Sequence, residues 1–269
     1  MKMITDEIAN AILDSKSNVF LTGAGISTES GVPDYRSSNN QFWGEYDSKD
    51  FYLSNFLTNS GSRMRCWRSC AVFYETMKNA QPNPAHLVLA ELERRKLLRG
   101  IITQNVDGLH QKAGNSKKVV IELHGTAHTI SCVDCGRKYD SEGIYTSISK
   151  WTSVPYCENC QGILKPDTVF PGEPIIPNVA KRVLQMATSC KLLIVIGSSL
   201  EVQPAAYLPL KAKESGAKLG IINLTPTPYD KYADYLIYRP AGKTLAEIVK
   251  KINDQVRPPT EERTGQYGP

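Results

Sequence analysis

Four of the seven cysteines stand in two Cys-x-x-Cys pairs, Cys132-Val-Asp-Cys135 and Cys157-Glu-Asn-Cys160, with 21 residues between the pairs. Two residues between thiols let one tight turn present both sulfurs to a single tetrahedral ion. Gly136 and Gly162 follow the pairs, where backbone reversal favours glycine. The separation slightly exceeds the usual zinc-ribbon range of about 15–20 residues, which needs only a longer connecting loop. The alternative is two disulfides in a secreted protein. Against it stand the three further cysteines and the opening Met1-Lys-Met-Ile-Thr-Asp-Glu-Ile8, which has no apolar signal-peptide core. Because the protein would fill all four positions, the expectation is one structural Zn2+ on Cys132, Cys135, Cys157 and Cys160, not a catalytic ion with an open position.

A second set of chemically capable residues stands at the ends of apolar runs. Asn18-Val-Phe-Leu21 leads into Thr22-Gly-Ala-Gly-Ile-Ser-Thr28, whose Gly23 and Gly25 open a G-x-G-x-x-G dinucleotide turn. Its third position is Thr28, and no strand ending in an acidic residue follows at the usual distance. Gly100-Ile-Ile-Thr103 leads into Gln104, Asn105 and Asp107, amide and carboxylate partners suited to ribose hydroxyls or a carboxamide. Turns are rich in the same residues, so this run is weak evidence alone. After Val119–Leu123 comes His124-Gly125, where the histidine reads either as a structural group or as a general base. Gly197-Ser198-Ser199-Leu200 would let a phosphate or ribose approach the backbone, and Asn223 ends the next run. Five such strand ends converging on one edge of a sheet are hard to explain as turns, because that edge is the ligand crevice of open α/β sheets.

The elements that must position these residues follow from periodicity. Strands are predicted at 18–22, 100–103, 119–123, 192–196 and 219–222. Helices are predicted from the start to near Asp14, over Ala85–Lys96 behind Pro82 and Pro84, and at about 178–189, 205–215 and 243–253. Such alternation predicts an α/β protein with a Rossmann-like, mostly parallel sheet and helices on both faces. The predicted organisation is a core domain of residues 1–35, 81–125 and 169–256, a loop and short helices at 36–80, a zinc module at 126–168, and a disordered tail at 257–269. The segment 126–168 has too few large apolar residues for its own core and needs metal or the main domain for order.

Composition is that of an ordinary globular chain, with 41% hydrophobic and 22% charged residues among 269. The net charge of +5 is spread along the sequence, and Glu93-Arg-Arg-Lys96 reads as a solvated helix end, so no specific nucleic-acid partner is expected. No apolar run approaches the roughly 18 residues of a membrane span. The expected location is intracellular, cytoplasmic first, or mitochondrial if a leader has been removed.

In these motifs the chain resembles the sirtuins, the NAD-dependent protein deacylases, over roughly residues 4–253. The resemblance rests on Gly23-Ala-Gly-Ile-Ser27, Gly31-Val-Pro-Asp-Tyr-Arg-Ser37, Thr103–His110, His124-Gly125, the cysteine pairs, Gly197–Leu200 and Asn223. Gln81-Pro-Asn-Pro-Ala-His86, with Pro-Asp-Tyr-Arg-Ser, is most similar to the class II branch. It implies NAD contacts at Gly23, Ala24, Gly25, Ile26, Ser27, Asp34, Tyr35, Arg36, Gln104, Asn105, Val106, Asp107, Gly197, Ser198, Ser199, Asn223 and Ala241. The Ala24/Gly25 turn would take the pyrophosphate, which accounts for the missing third glycine. NAD is then consumed and no hydride moves.

The implied catalytic residues are His124, Asn105 and Asp107. Asn105, Val106 and Asp107 would hold the nicotinamide ribose and carboxamide, and the acyl-lysine oxygen would displace nicotinamide from C1′. His124 would then deprotonate a ribose hydroxyl, leading to free lysine and O-acyl-ADP-ribose. The acyl-lysine protein would pair as a strand between Phe170–Glu173 and Ser199–Val202, touching Val169, Phe170, Gly172, Glu173, Leu200 and Val202. Sirtuins usually carry Phe before Gly-Glu, and Pro171 stands here, without an N–H or an aromatic wall. A Tyr-x-x-Arg pair, which marks succinyl and malonyl removal, is absent because Tyr74 is followed by Met77, so neutral acyl groups are expected. Val72 and Phe73 are the expected tunnel positions, with Arg68 a possible exception. Two alternatives stay open at this point: protein ADP-ribosyl transfer from the same NAD site, and a zinc-ribbon module that binds NAD only as a ligand.

Overall fold

Continuous apolar runs such as Leu192–Ile196 are stable only as strands covered on both faces, and the chain supplies those covers between them. The computed structural model describes residues 2–34, 47–148 and 154–256. Its strands are β1 (Asn18–Thr22), β2 (Gly100–Thr103), β3 (Val120–Glu122), β4 (Gly125–Cys132), β5 (Lys138–Asp140), β6 (Leu164–Thr168), β7 (Leu192–Ile196), β8 (Lys218–Asn223) and β9 (Tyr235–Tyr238). Its helices are α1 (Lys2–Ser15), α2 (Leu53–Thr58), α3 (Ser60–Asn79), α4 (Pro84–Arg94), α5 (Leu109–Lys112), α6 (Ser141–Ile148), α7 (Pro177–Thr188), α8 (Leu208–Glu214) and α9 (Ala241–Val256).

Six strands form one sheet in the order β3-β2-β1-β7-β8-β9, with every ladder parallel. Period-two alternation divides its core. Phe20, Ile194 and Ile196 meet Ile8, Leu89, Leu92 and Leu245 of α1, α4 and α9 on one face. Val19, Leu21, Leu193 and Val195 meet Val183, Ala187, Leu208 and Ala212 of α7 and α8 on the other. The order runs outward from β1 in one direction and from β7 in the other, so the topological switch lies between β1 and β7. The parallel sheet and covering helices agree with the sequence reading, and the described residues contain no helix long and apolar enough to cross a membrane.

Three local expectations are revised. β9 is an added sixth strand, pairing Gly220–Asn223 with Tyr235–Tyr238. The segment from 205 to 215 begins as a 3-10 turn over Ala205–Tyr207 and becomes α-helical only at Leu208. The 36–80 region, read as a loop and short helices, contains α3, 20 residues long and capped by the Asn59 side chain accepting from Ser62 N. Its pattern is hard to see because its buried face mixes Cys66, Trp67, Ser69, Tyr74 and Met77.

That face explains how the zinc segment is ordered. Phe56, Trp67, Tyr74 and Met77 share one cluster with Ile130, Tyr145, Ile148, Leu164 and Phe170. The small antiparallel sheet β5-β4-β6 therefore borrows its core from α2 and α3.

At the switch, the turns after β1 and β7 interlock. Gly23 N donates to Ile196 O at 3.1 Å and Gly25 N to Gly197 O at 2.9 Å. Gly197 has φ +61°, and a Cβ on it would lie 2.3 Å from Ile26 N. Gly197→Ala is expected to destabilise the protein by about 2 kcal/mol or more, from the left-handed penalty and the displaced turn. Urea unfolding checks this, and a shift below about 0.5 kcal/mol, the range of ordinary surface substitutions, would contradict it.

Candidate active site

A cavity of about 1130 Å3 opens outside the carboxyl ends of β1, β2, β7 and β8. Gly23, Ala24, Gly25, Asp34, Gln104, Asn105 and Val106 line one side, and Gly197, Ser198, Ser199, Asn223 and Ala241 line another. His124 stands on the wall with Val169, Phe170, Gly172, Glu173 and Val202. Of the remaining candidates, Ile26, Ser27, Asp107 and Leu200 are buried behind the lining, and Tyr35 and Arg36 lie outside the described residues.

The donors on this wall suit an anion. Ala24 opens a 3-10 turn, and neither its amide nor that of Ser198 has a hydrogen-bond partner among the described residues. Both residues line the cavity, giving two backbone N–H groups beside glycines that leave the backbone uncovered. Gln104 Nε2 donates to Ser198 Oγ at 2.8 Å, bridging the ends of β2 and β7. This donor set and the cavity's size fit a dinucleotide.

Behind the wall a polar relay fixes Asn105. Its Nδ2 donates to Gly23 O and to Ser27 Oγ, both at 3.1 Å. Ser27 Oγ donates to Asp107 Oδ2 at 2.7 Å, and Asp107 Oδ1 accepts from Leu109 N at 2.9 Å. His86 Nε2 faces Ser27 Oγ at 3.5 Å, while its Nδ1 accepts from Asn83 N and completes the capping box of α4. His110 packs edge-on against His86 and meets Thr22 Oγ1 at 3.0 Å. Burial holds both imidazoles well below their ordinary range, His86 at about 4 and His110 at about 3, so both are neutral at pH 7.

His124 is half-buried, and its Nδ1 lies 3.1 Å from the carbonyl of Gln104. A carbonyl only accepts, so Nδ1 carries the proton and Nε2 is left with a free lone pair. Burial pushes the His124 pKa below the ordinary imidazole value, against the opposing hydrogen bond to Gln104. The next residue fixes the strand's path: Gly125 has φ +75°, and a Cβ there would lie 1.9 Å from Asp167 O.

The acyl side departs from expectation at α3. Cys70 and Phe73, three residues apart, face the cavity, whereas Val72 is 64% exposed and Arg68 points to solvent. Pro171 also lines the cavity, and its carbonyl accepts from Leu53 N at 3.0 Å, joining this loop to α2. Glu173 accepts from Phe170 N at 2.8 Å and pairs with buried Lys165 at 2.9 Å, which sets the loop's shape.

The four cysteine sulfurs lie within 4.8 Å of one another, with Cys132–Cys160 at 3.5 Å and Cys135–Cys157 at 3.6 Å. Zn–S bonds of about 2.3 Å in a tetrahedron require S···S edges of ~3.8 Å, so the set fits one zinc and is too open for disulfides. Tyr139 Oη lies 3.1 Å from Cys157 Sγ and supports the cluster from outside. Gly136 takes the left-handed conformation after the first pair. After the second, Gln161 takes it, and Gly162 instead leaves room for Cys132 Sγ.

Sequence reasoning missed Thr28, Glu29, Thr168, Thr225 and Arg239 on the cavity wall. Arg239 follows β9, and Tyr-Leu-Ile-Tyr before Pro240 was the available signal. Glu29 had none: its carboxylate accepts from Gly242 N at the start of α9, 213 residues away.

Residues 23–204 match the Sir2 family. The chain is 42% identical over 249 residues to NAD-dependent protein deacetylase 1 of Pyrobaculum aerophilum, covering 92% of this chain and 94% of that protein. It is 42% identical over 244 residues to the NAD-dependent protein deacetylase of Thermodesulfovibrio yellowstonii, covering 91% and 93%. A solved structure of Sir2 with a p53 peptide and NAD+ superposes with a TM-score of 0.83 at 36% identity, over 92% of this chain and 98% of that one. A parallel sheet with its cavity at the β1/β7 switch, a histidine on the cavity wall and a four-cysteine cluster beside it thus occur in a chain that belongs to the Sir2 family.

Proposed function

We propose that this protein removes acyl groups from protein lysines at the expense of NAD, with its chemistry at His124. NAD-dependent deacetylation is the activity named for its relatives. The observation that carries the assignment is the free Nε2 of a neutral His124 on the wall of a cavity that also presents the Ala24 and Ser198 amides. Mere binding of a dinucleotide requires no such base.

The residues divide the work. Ala24 and Ser198 offer amides to the pyrophosphate, while Gly23, Gly25 and Gly197 keep the backbone bare. Ser199, Asn223 and Ala241 bound the adenosine end. Asn105 and Val106 orient the nicotinamide ribose and carboxamide, and Asp107 acts through Ser27, which bonds both carboxylate and amide. NAD supplies an electrophilic ribose carbon with nicotinamide as leaving group. His124 Nε2 takes a ribose hydroxyl proton. The acyl-lysine segment lies in the cleft between residues 169–173 and 199–202, where Leu200 supports the wall from behind. Asp34 lines the cofactor side of the cavity, and Tyr35 and Arg36, which the resemblance assigns to the same contacts, lie outside the described residues. Cys132, Cys135, Cys157 and Cys160 would hold zinc, which organises the module and stands outside the chemistry.

The pH dependence follows from His124. The reaction needs its neutral form, and burial has lowered its pKa, so the rate is full at neutral pH and is lost as pH falls through that lowered value. A profile of kcat/KM against pH is expected to show an acid limb with its midpoint below about 6.5. A midpoint above 7 would overturn this assignment.

Mass spectrometry of reactions with NAD and matched acetyl-, myristoyl- and succinyl-lysine peptides tests the whole reading. O-acyl-ADP-ribose is expected from the neutral acyl groups and little from succinyl, since no cation among the described residues lines the acyl end. ADP-ribosylated protein in place of deacylated peptide would favour the transferase. Neither product would favour binding alone.

A further inference from the structure

The acyl end of the cavity contains one polar group that deacetylation does not use. Its wall is formed by Cys70, Phe73, Val106, Ala127, Tyr145 and Phe170. All but Tyr145 present carbon or sulfur, and most belong to the core shared by α3 and the zinc segment. Tyr145 is 4% exposed, its ring stacked on Tyr74 at 4.6 Å and tilted against Trp67 at 5.8 Å. The ring therefore has one position.

Its hydroxyl has no hydrogen-bond partner among the described residues. The indole N–H of Trp67, also unpaired, is sealed from solvent, but the Tyr145 hydroxyl is not among the sealed unpaired atoms. Tyr145 lines the cavity, and its unpaired hydroxyl is not sealed away as the Trp67 indole is. Burial raises its pKa well above the ordinary phenol value, so it stays a neutral donor.

We propose that Tyr145 reads the acyl chain, and that the protein favours lysines whose neutral acyl group carries a hydroxyl over lysines with the unsubstituted chain of equal length. An apolar chain that fills this end displaces water and leaves the phenol dry and unpaired. A chain that carries an oxygen satisfies it. Sites with a committed polar group discriminate in this way, and one neutral hydrogen bond corresponds to roughly a tenfold preference. An acidic chain gains no such advantage, because one phenol does not offset the burial of a carboxylate.

The inference rests on the deacylase reading, and the test separates the two. The measurement is kcat/KM for O-acyl-ADP-ribose formation on one peptide carrying acetyl-, butyryl-, 3-hydroxybutyryl- or 4-hydroxybutyryl-lysine. The better hydroxylated chain is expected to exceed butyryl by roughly tenfold. Tyr145→Phe, which keeps the stacked ring, is expected to bring that ratio to about one. Turnover of acetyl- and butyryl-lysine with no preference for either hydroxylated chain overturns the inference alone, as does a preference that survives in Tyr145→Phe. The wild-type ratio decides even if the variant does not fold. No turnover of any peptide overturns the deacylase reading and this inference with it.

Discussion

Replacing His124 by Ala is expected to lower deacylation by roughly 10²–10⁴-fold while leaving NAD affinity within a few-fold of the native value. The imidazole lies on the cavity wall, but the amides proposed to take the pyrophosphate belong to Ala24 and Ser198 on other strand ends. Truncating the ring removes the proton acceptor and leaves that cradle intact. The Gln104 carbonyl loses its partner, but it stands on a half-exposed edge where water replaces the bond. Steady-state kinetics with a calorimetric titration of NAD checks both halves. A loss of NAD affinity as large as the loss of rate would assign His124 to binding instead.

Cys132→Ser or Cys157→Ser is expected to abolish zinc binding and to leave the protein insoluble or lacking a cooperative unfolding transition. Both thiols are buried, each in a different Cys-x-x-Cys pair, so either change leaves three ligands around a site that needs four. Structural zinc contributes on the order of 10 kcal/mol of apparent free energy to small modules, comparable to the whole stability of a domain. The core shared with Trp67 and Phe56 does not replace it, because β4 runs directly into the first cysteine turn and β6 starts just after the second. Metal content and thermal unfolding of the purified variants are the readouts. A soluble, active Cys132→Ser protein without metal would refute the structural role.

The cysteine pairs, the glycine turn and the strand ends were legible because each follows a local rule. Two residues between thiols define a chelating turn, and a continuous run such as Leu192–Ile196 needs cover on both faces. Val72 was misassigned at the tunnel for the opposite reason, while Phe73 does line the cavity. Neighbours on a helix point about 100° apart, so which one faces inward depends on rotation of α3, and its mixed buried face does not declare that rotation. The inward positions are Cys70 and Phe73.

The sequence alone determined the parallel α/β architecture and the metal-ligand set, since these depend on spacing along the chain. Most of the cavity wall was legible through the resemblance its motifs carry. Only the tertiary structure decided three further matters. It placed Asp107 behind Asn105 through Ser27, 80 residues away. It seated Glu29 on the start of α9 and brought Tyr145 to the cavity wall. Each depends on contacts between segments far apart in the chain, where side-chain direction and the identity of the neighbour arise only when the elements pack.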